Sequence, residues 1–599
     1  MAGAPSDVRA SEDSRFEARR IVPEPPAPLA PDSESLDVWG FRDSGFTVNE
    51  AGQVEFRGAR YPISGKAIPS LLPWAEGILG LRVDPFDRNV SQYPTGVPES
   101  RATAELEDAL AASLEPGRVS RDPRVRLRHG HGHTQEDMWA IKYGLLPRVP
   151  DLVVWPISAD EVRAVLQLAR AHGACVIPYG GGTNVTDALR CPVEERRAIV
   201  SVDLRRMNRV LWIDPVDHTA EIQAGATGTE IEEQLRRHGF TLGHEPDSAE
   251  LSTLGGWVAT NASGMKKNRY GNIEDLVLAI SAATPQGELT RQPSARESVG
   301  ADPARWLIGS EGELGIVTSA VTKVFPVPAV RRFGSVLFES FDEGFAFLYA
   351  VQRSGVVPAS VRLMDNLQFQ FGQALKPAKG RLGRVKSALE KLYVLRVRGF
   401  DPERMVACTL LFEGSEEEVV AQERSVYRIA AAHGGMKAGA ENGERGYQLT
   451  FAIAYIRDFM LEHWIIAESF ETSVAWSAAQ ALCANVKQRL WQEHAKRALP
   501  GRPFISVRVT QLYGAGVCLY FYFAFHYKGV ENPSEVFAEL ERAARDEILR
   551  SDGSLSHHHG VGKLRQPFLS RVFSPAALAF RRKLAQALDP EDVLGPGNG

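Results

Sequence analysis

The sequence reads as an α+β protein of mixed strands and helices, on three observations. Short apolar strands alternate with capped helical segments between residues 151 and 239. The aromatic-rich run 517–525 has the length and alternation of a buried strand. The longest helical patterns, 415–433 and 478–496, fall in a separate and more irregular region. At ~150 residues per domain, 599 residues suggest about four structural units.

The elements follow in order. Residues 1–35 are rich in Ala, Pro, Ser and mixed charge and read as a flexible tail. Residues 36–146 read as an N-terminal helical region, with short helices at 71–74 and 104–114 among loops. A first domain spans 147–328. Its opening strand is 152–156, and Ser158 with Glu161 has capping-box spacing for a helix that stops at Gly173. Strand 175–178 leads straight into Gly180-Gly181-Gly182. Strands follow at 199–203, 210–213 and 220–223. Thr227 and Glu230 then open a helix that ends at Gly239. Residues 329–553 form a second domain, and 554–599 a C-terminal segment with a helix over 574–588.

Composition excludes several classes. The formal net charge of -5 lacks the basic excess of a nucleic-acid binder, so no nucleic-acid partner is expected. No apolar run approaches the ~18 residues of a membrane span. The five cysteines are scattered, with no Cys-x-x-Cys pair, which suits a reducing compartment rather than a disulfide framework or zinc site. Neither a secretory leader nor a Ser-Lys-Leu address is expected.

Three segments carry binding chemistry. Pro178-Tyr179-Gly180-Gly181-Gly182-Thr183-Asn184 follows a strand, and its glycines can present successive backbone N–H groups to a pyrophosphate. A tight turn without ligand is the plain alternative, and the spacing is neither that of a Rossmann fingerprint nor of a P-loop. Asp247-Ser248, Ser252-Thr253 and Thr260-Asn261-Ala262-Ser263 offer hydroxyl and backbone donors along a nucleotide. The third segment is Glu311-Gly312-Glu313-Leu314-Gly315-Ile316-Val317.

Taken in this order, the three segments resemble the vanillyl-alcohol-oxidase type of flavoprotein. The resemblance implies a two-part FAD-binding domain with an α/β cap domain. The flavin is expected to be non-covalent, because Thr183-Asn184 stand where tethering relatives place a histidine. Four longer motifs narrow the match: 360–366 (SVRLMDN), 455–458 (YIRD), 520–523 (YFYF) and 554–563 (SLSHHHGVGK). They resemble the alkyldihydroxyacetonephosphate synthase family.

That resemblance implies exchange of the acyl chain of 1-acyl-dihydroxyacetone phosphate for a long-chain fatty alcohol, without net redox change. In the family's proposed mechanism, flavin N5 holds carbon 1 while the fatty acid leaves and the alcohol adds. Tyr520 is implied as the general acid/base, with His557, His558 and His559 assisting and lowering its pKa. Arg457 is implied at the substrate phosphate, and Arg362 near flavin or substrate. From the residues alone, both strand tyrosines would be core, the histidine run a polar loop and Arg457 a surface ion pair. No metal is expected, because no partner set for the histidines has ligand spacing. His129, His131 and His133 read as structural, Lys266-Lys267 as a solvated pair or a phosphate or membrane contact, and His244 as a secondary site candidate. An apolar tunnel, a membrane surface and a homodimer are the expected partners of such chemistry. The expected location is the cytoplasmic face of a bacterial inner membrane, or a peroxisomal membrane in a eukaryote. An FAD-linked 2-hydroxy-acid dehydrogenase and a non-catalytic lipid-binding relic are the alternatives.

Overall fold

A computed structural model describes residues 20–27, 33–94, 96–378 and 399–598. Five sheets organise them. In the first, Leu152–Val154, Ile199–Asp203 and Cys175–Tyr179 run parallel, and the two-residue strand Val119–Ser120 adds antiparallel at one edge. Parallel strands buried on both faces account for the unbroken apolar runs. Helix Ala159–Ala171 connects two of them and buries Val162, Val165, Leu166 and Ala169. Ser158 caps this helix, but Glu161 bonds the N–H of Ile157 rather than that of Ser158, so the box is half formed. The Thr227–Glu230 box is complete.

The second sheet is antiparallel, in the order Gly287–Leu289, Val277–Thr284, Ile316–Lys323, Thr219–Gln223 and Val210–Asp214. Its last strand is an edge, and Ile213 exchanges two backbone hydrogen bonds with Ile21, at 2.9 and 2.8 Å. Glu34 pairs with Arg205 at 2.8 Å. Residues 20–27 and 33–35 are therefore docked rather than part of a flexible tail: an open strand edge offers unpaired N–H and C=O groups that a polar, Pro-rich composition does not reveal. The rest of the expected tail, 1–19 and 28–32, lies outside the described residues.

The N-terminal region holds the helices Leu71–Leu79, Ala104–Ser113, Pro123–Arg128 and Gln135–Tyr143. It also holds a three-stranded antiparallel sheet, Gly45–Val48, Val54–Arg57 and Ala67–Ile68, which the helical expectation missed. Strands of two to four residues are too short to show a period. Leu106 and Leu110 share a core with Val162 and Val165, so the expected boundary at 146/147 does not divide the packing.

The largest sheet has seven antiparallel strands in the order Met436–Lys437, Val330–Phe338, Val406–Gly414, Ser360–Met364, Phe504–Leu512, Gly516–His526 and Ile465–Ala475. Val517, Leu519, Phe521, Phe523 and Phe525 are fully buried in one core with residues of helices Ala479–Lys496 and Pro533–Arg550. Strand alternation turns Tyr520 and Tyr522 to the other face. The chain then returns to the first sheet, where Val176 bonds the backbone of Val593 and Gly595 at 2.6 and 2.9 Å.

Candidate active site

A large cavity lies where the glycine loop meets the tyrosine-bearing face of the seven-stranded sheet. Gly180 and Gly181 rest directly on residues 251–253. A Cβ on Gly181 would overlap the carbonyl oxygen of Leu251, and one on Gly180 would overlap Thr253 Oγ1. Glycine is needed here for close backbone approach. Of the residues expected at the cofactor, all but three line this cavity. Asn261 instead takes the left-handed C-cap of helix Leu254–Thr260. Glu313 pairs with Arg581 at 2.6 Å, and Leu314 is in the hydrophobic core. Glu311 accepts the N–H groups of Val561 and Gly562 at 3.0 and 2.8 Å, which ties the C-terminal segment to the loop.

The far side of the cavity is built by four adjoining strands of the large sheet. Ser360–Met364 contributes Arg362, Phe504–Leu512 Arg508, Gly516–His526 Tyr520, and Ile465–Ala475 Ser469. Tyr520 Oη stands 2.9 Å from Ser469 Oγ and 3.5 Å from His559 Nε2. The Arg508 guanidinium lies 4.6 Å from the centre of the Tyr520 ring. Arg362 and Arg508 share one carboxylate, Asp247, at 3.6 and 3.4 Å. Beyond this polar end the cavity is walled by apolar side chains, among them Trp74, Ile78, Phe371, Met460 and Phe504.

Burial pushes the Tyr520 phenol well above its ordinary pKa; Tyr522 and Asp247 add to the rise, and Arg508 and Ser469 oppose it. The expected lowering by the histidines is thus overturned, because desolvation dominates. Burial also lowers His558 and His559, and Glu471 only partly restores them. The resting site therefore pairs a neutral phenol with neutral imidazoles.

His557, His558 and His559 occupy a bend rather than a strand. His558 and His559 line the cavity, whereas His557 does not: its Nε2 faces Tyr513 Oη at 2.6 Å. Its Nδ1 is 2.8 Å from His558 Nδ1. Cys518 Sγ joins these nitrogens in a group within 4.8 Å, a neighbour that sequence spacing could not reveal. Arg457 lines the cavity, but it already donates to Glu468 (2.9 Å), Asp458 (3.1 Å) and the His133 carbonyl (2.6 Å). Asp458 also accepts the N–H of Trp39 and Tyr455 Oη that of Phe41, so the YIRD motif anchors the N-terminal strap as well.

His129 bonds Asp203 at 2.9 Å, and His131 bonds the Gly132 carbonyl at 2.7 Å. His133 reaches the cavity wall. His244 is buried behind it against Trp257. The lysine pair is not solvated: Lys266 is buried between Glu245 and Glu413, and Lys267 Nζ donates to the Leu512 carbonyl at 2.6 Å.

The FAD binding domain family matches residues 150–292, and the C-terminal domain of FAD linked oxidases matches 327–598. An alkyldihydroxyacetonephosphate synthase from Caenorhabditis elegans is 43% identical over 94% of both chains. The chain belongs to the alkyldihydroxyacetonephosphate synthase family. A solved structure of that family superposes with a TM-score of 0.82 at 30% identity, covering 94% of this chain and 98% of the other. A p-cresol methylhydroxylase, 15% identical with a TM-score of 0.64 over 84% of this chain and 98% of the other, shares the fold alone.

FAD is the cofactor, and the residues present fit it. The backbone cradle has no room for a Cβ, Ser248, Ser252, Thr253 and Thr260 line the same wall, and the Arg362 and Arg508 Nε atoms are buried without hydrogen bonds.

Ser469, Glu468 and Arg508 escaped the sequence reading. Ser469 and Arg508 are polar residues at alternating strand positions, a pattern that ordinarily marks a solvent-facing side, and Glu468 is the residue next to Ser469 in the same strand.

Proposed function

We propose that this chain replaces the acyl chain of 1-acyl-dihydroxyacetone phosphate with a long-chain fatty alcohol, forming an ether bond without net redox. One observation carries the reading: the family's Tyr520–His559 pair meets the polar end of an apolar cavity directly opposite the flavin cradle. FAD, held non-covalently, supplies a ring nitrogen able to hold carbon 1 during the exchange. The bond from carbon 1 to the acyl oxygen breaks, and one to the alcohol oxygen forms. A proton leaves carbon 1 and later returns. Tyr520 Oη carries it, and neutral His559 accepts from the phenol, because burial keeps the phenol protonated at rest. Ser469 orients that hydroxyl.

Arg457 holds the substrate phosphate. Its guanidinium lines the cavity, with Nη2 buried 3.1 Å from Asp458 Oδ1 but making no hydrogen bond to it, which supports that role. Arg362 and Arg508, two guanidiniums with one carboxylate, keep the flavin–substrate junction positive. The apolar walls take the alkyl chains.

Two long chains must enter and leave, so the chain works at a membrane surface. No helix among the described residues is long and apolar enough to cross one. Exposed Val572, Phe573 and Phe580 suit peripheral contact. The surface would be the inner membrane's cytoplasmic face in a bacterium, or a peroxisomal membrane in a eukaryote, with the chain as a homodimer.

Labelled fatty alcohol, supplied with acyl-dihydroxyacetone phosphate, is expected to enter an ether product as one fatty acid is released per ether. Flavin bleaching by 2-hydroxy acids with no ether formed would favour the dehydrogenase alternative instead.

A further inference from the structure

Glu471 has no part in the reaction described above, yet its side chain organises the histidine loop. It sits directly across from Tyr520 in the pairing of Ile465–Ala475 with Gly516–His526, and it is fully buried. Oε1 accepts from Ser556 Oγ at 3.0 Å, from the N–H of His559 at 3.2 Å and from Arg565 Nη1 at 2.9 Å. Oε2 accepts the N–H of His557. Arg565 also donates to the Gly560 carbonyl at 2.8 Å. Arg545 bridges the Glu471 and Leu555 carbonyls at 2.8 and 2.9 Å.

A bend has no ladder to fix its direction. Here two alternate N–H groups converge on one carboxylate, and the next carbonyls are held by guanidiniums beside it. The His558 and His559 rings project from this clamp, with centroids 5.9 and 5.7 Å from that of Tyr520. Burial alone would raise the Glu471 carboxyl, but the Arg565 and Arg545 guanidiniums beside it hold it well below the usual range, so it stays a full acceptor.

We propose that Glu471 is a positioning residue: its carboxylate sets where the His558 and His559 imidazoles stand relative to the Tyr520 hydroxyl. This rests on the assignment of proton transfer to Tyr520 and the histidines.

In Glu471→Gln, the amide NH2 would face N–H donors, and Arg565 would be a buried charge without a partner. Loss of fold in that variant would say little, because an orphaned buried charge is destabilising by itself. The deciding protein is therefore Glu471→Gln/Arg565→Met, which removes both charges. It is expected to keep its FAD absorbance and its KM for the acyl substrate, while kcat falls about 10²-fold, as misplaced catalytic groups do. A double variant with wild-type kcat would reduce Glu471 to a counterion and overturn the proposal. A double variant that cannot hold FAD would overturn it too, by placing Glu471's contribution in stability. Tyr520→Phe, assayed beside it, separates the two assignments. Full activity there sinks the proton-transfer reading; an inactive Tyr520→Phe with a fully active double variant sinks only the positioning role.

Discussion

In the glycine-loop half, the cradle is chain lying on chain: Gly180 and Gly181 rest on residues 251–253, and a Cβ at Gly181 meets a backbone carbonyl. On the large sheet the working groups are side chains, with Arg362, Arg508, Tyr520 and Ser469 each supplied by a different strand. The first surface depends on the absence of atoms, the second on a few polar atoms at fixed positions. Substitution in the first should cost the cofactor. Substitution in the second should leave the cofactor bound and cost the chemistry.

The largest effect is expected in the cradle. Gly181→Ala must push residues 251–252 away and should yield protein without flavin absorbance, while far-ultraviolet circular dichroism stays native. Stoichiometric yellow protein would break the distinction. On the sheet, Tyr520→Phe keeps the ring packed but loses the hydroxyl that meets Ser469 and His559. It should bind FAD normally and lose about 10² to 10⁴ in rate, the usual worth of a general acid/base. Flavin loss there would blur the two halves.

Arg457→Ala should cost about 2 to 5 kcal/mol in kcat/KM, as expected when one member of a buried charged contact is removed. The loss should appear in KM for the phosphate-bearing substrate. Pairing the change with Glu468→Gln controls for the carboxylate left behind, and an unchanged KM in both proteins would move the phosphate to Arg362 and Arg508.

The smallest effect concerns His244, which belongs to the glycine-loop half and has no hydrogen-bond partner on either ring nitrogen. Burial, with Lys266, lowers it to about 3. A histidine depressed in the fold takes up its proton first in the unfolded chain, so stability is lost as pH falls below the unfolded value of about 6.5. From pH 7 to pH 5 that loss is about 2 kcal/mol. His244→Phe should remove it, so denaturant titrations at the two pH values should show the variant gaining on wild type in acid.

The same division explains what the sequence made legible. The cradle is written in contiguous segments, 178–184, 247–263 and 311–317, so its chemistry is visible before folding. Tyr520 and the histidine run were visible only through long motifs. Ser469 and Arg508 were not, because they meet only when antiparallel pairing brings strands from four parts of the chain together. A cavity-facing sheet surface also alternates polar and apolar residues as a wet one does. Asn261, Glu313 and Leu314 sat inside a matching motif but serve a cap, an ion pair and the core. Motif membership gives the segment, and only packing gives the side of it that faces the ligand. The docking of residues 20–27 depends on a free strand edge elsewhere, which composition cannot show.

The claim that joins the halves is that the flavin cradle and the tyrosine face together exchange acyl for alkyl with no electrons left over. The most direct test is multiple turnover by the wild-type protein with oxygen and all other acceptors excluded, counting ether formed per bound flavin. Ether well beyond one equivalent, with the flavin spectrum returning to its oxidised form, is predicted. Product that stops at one equivalent with reduced flavin, or that requires an acceptor, would contradict it.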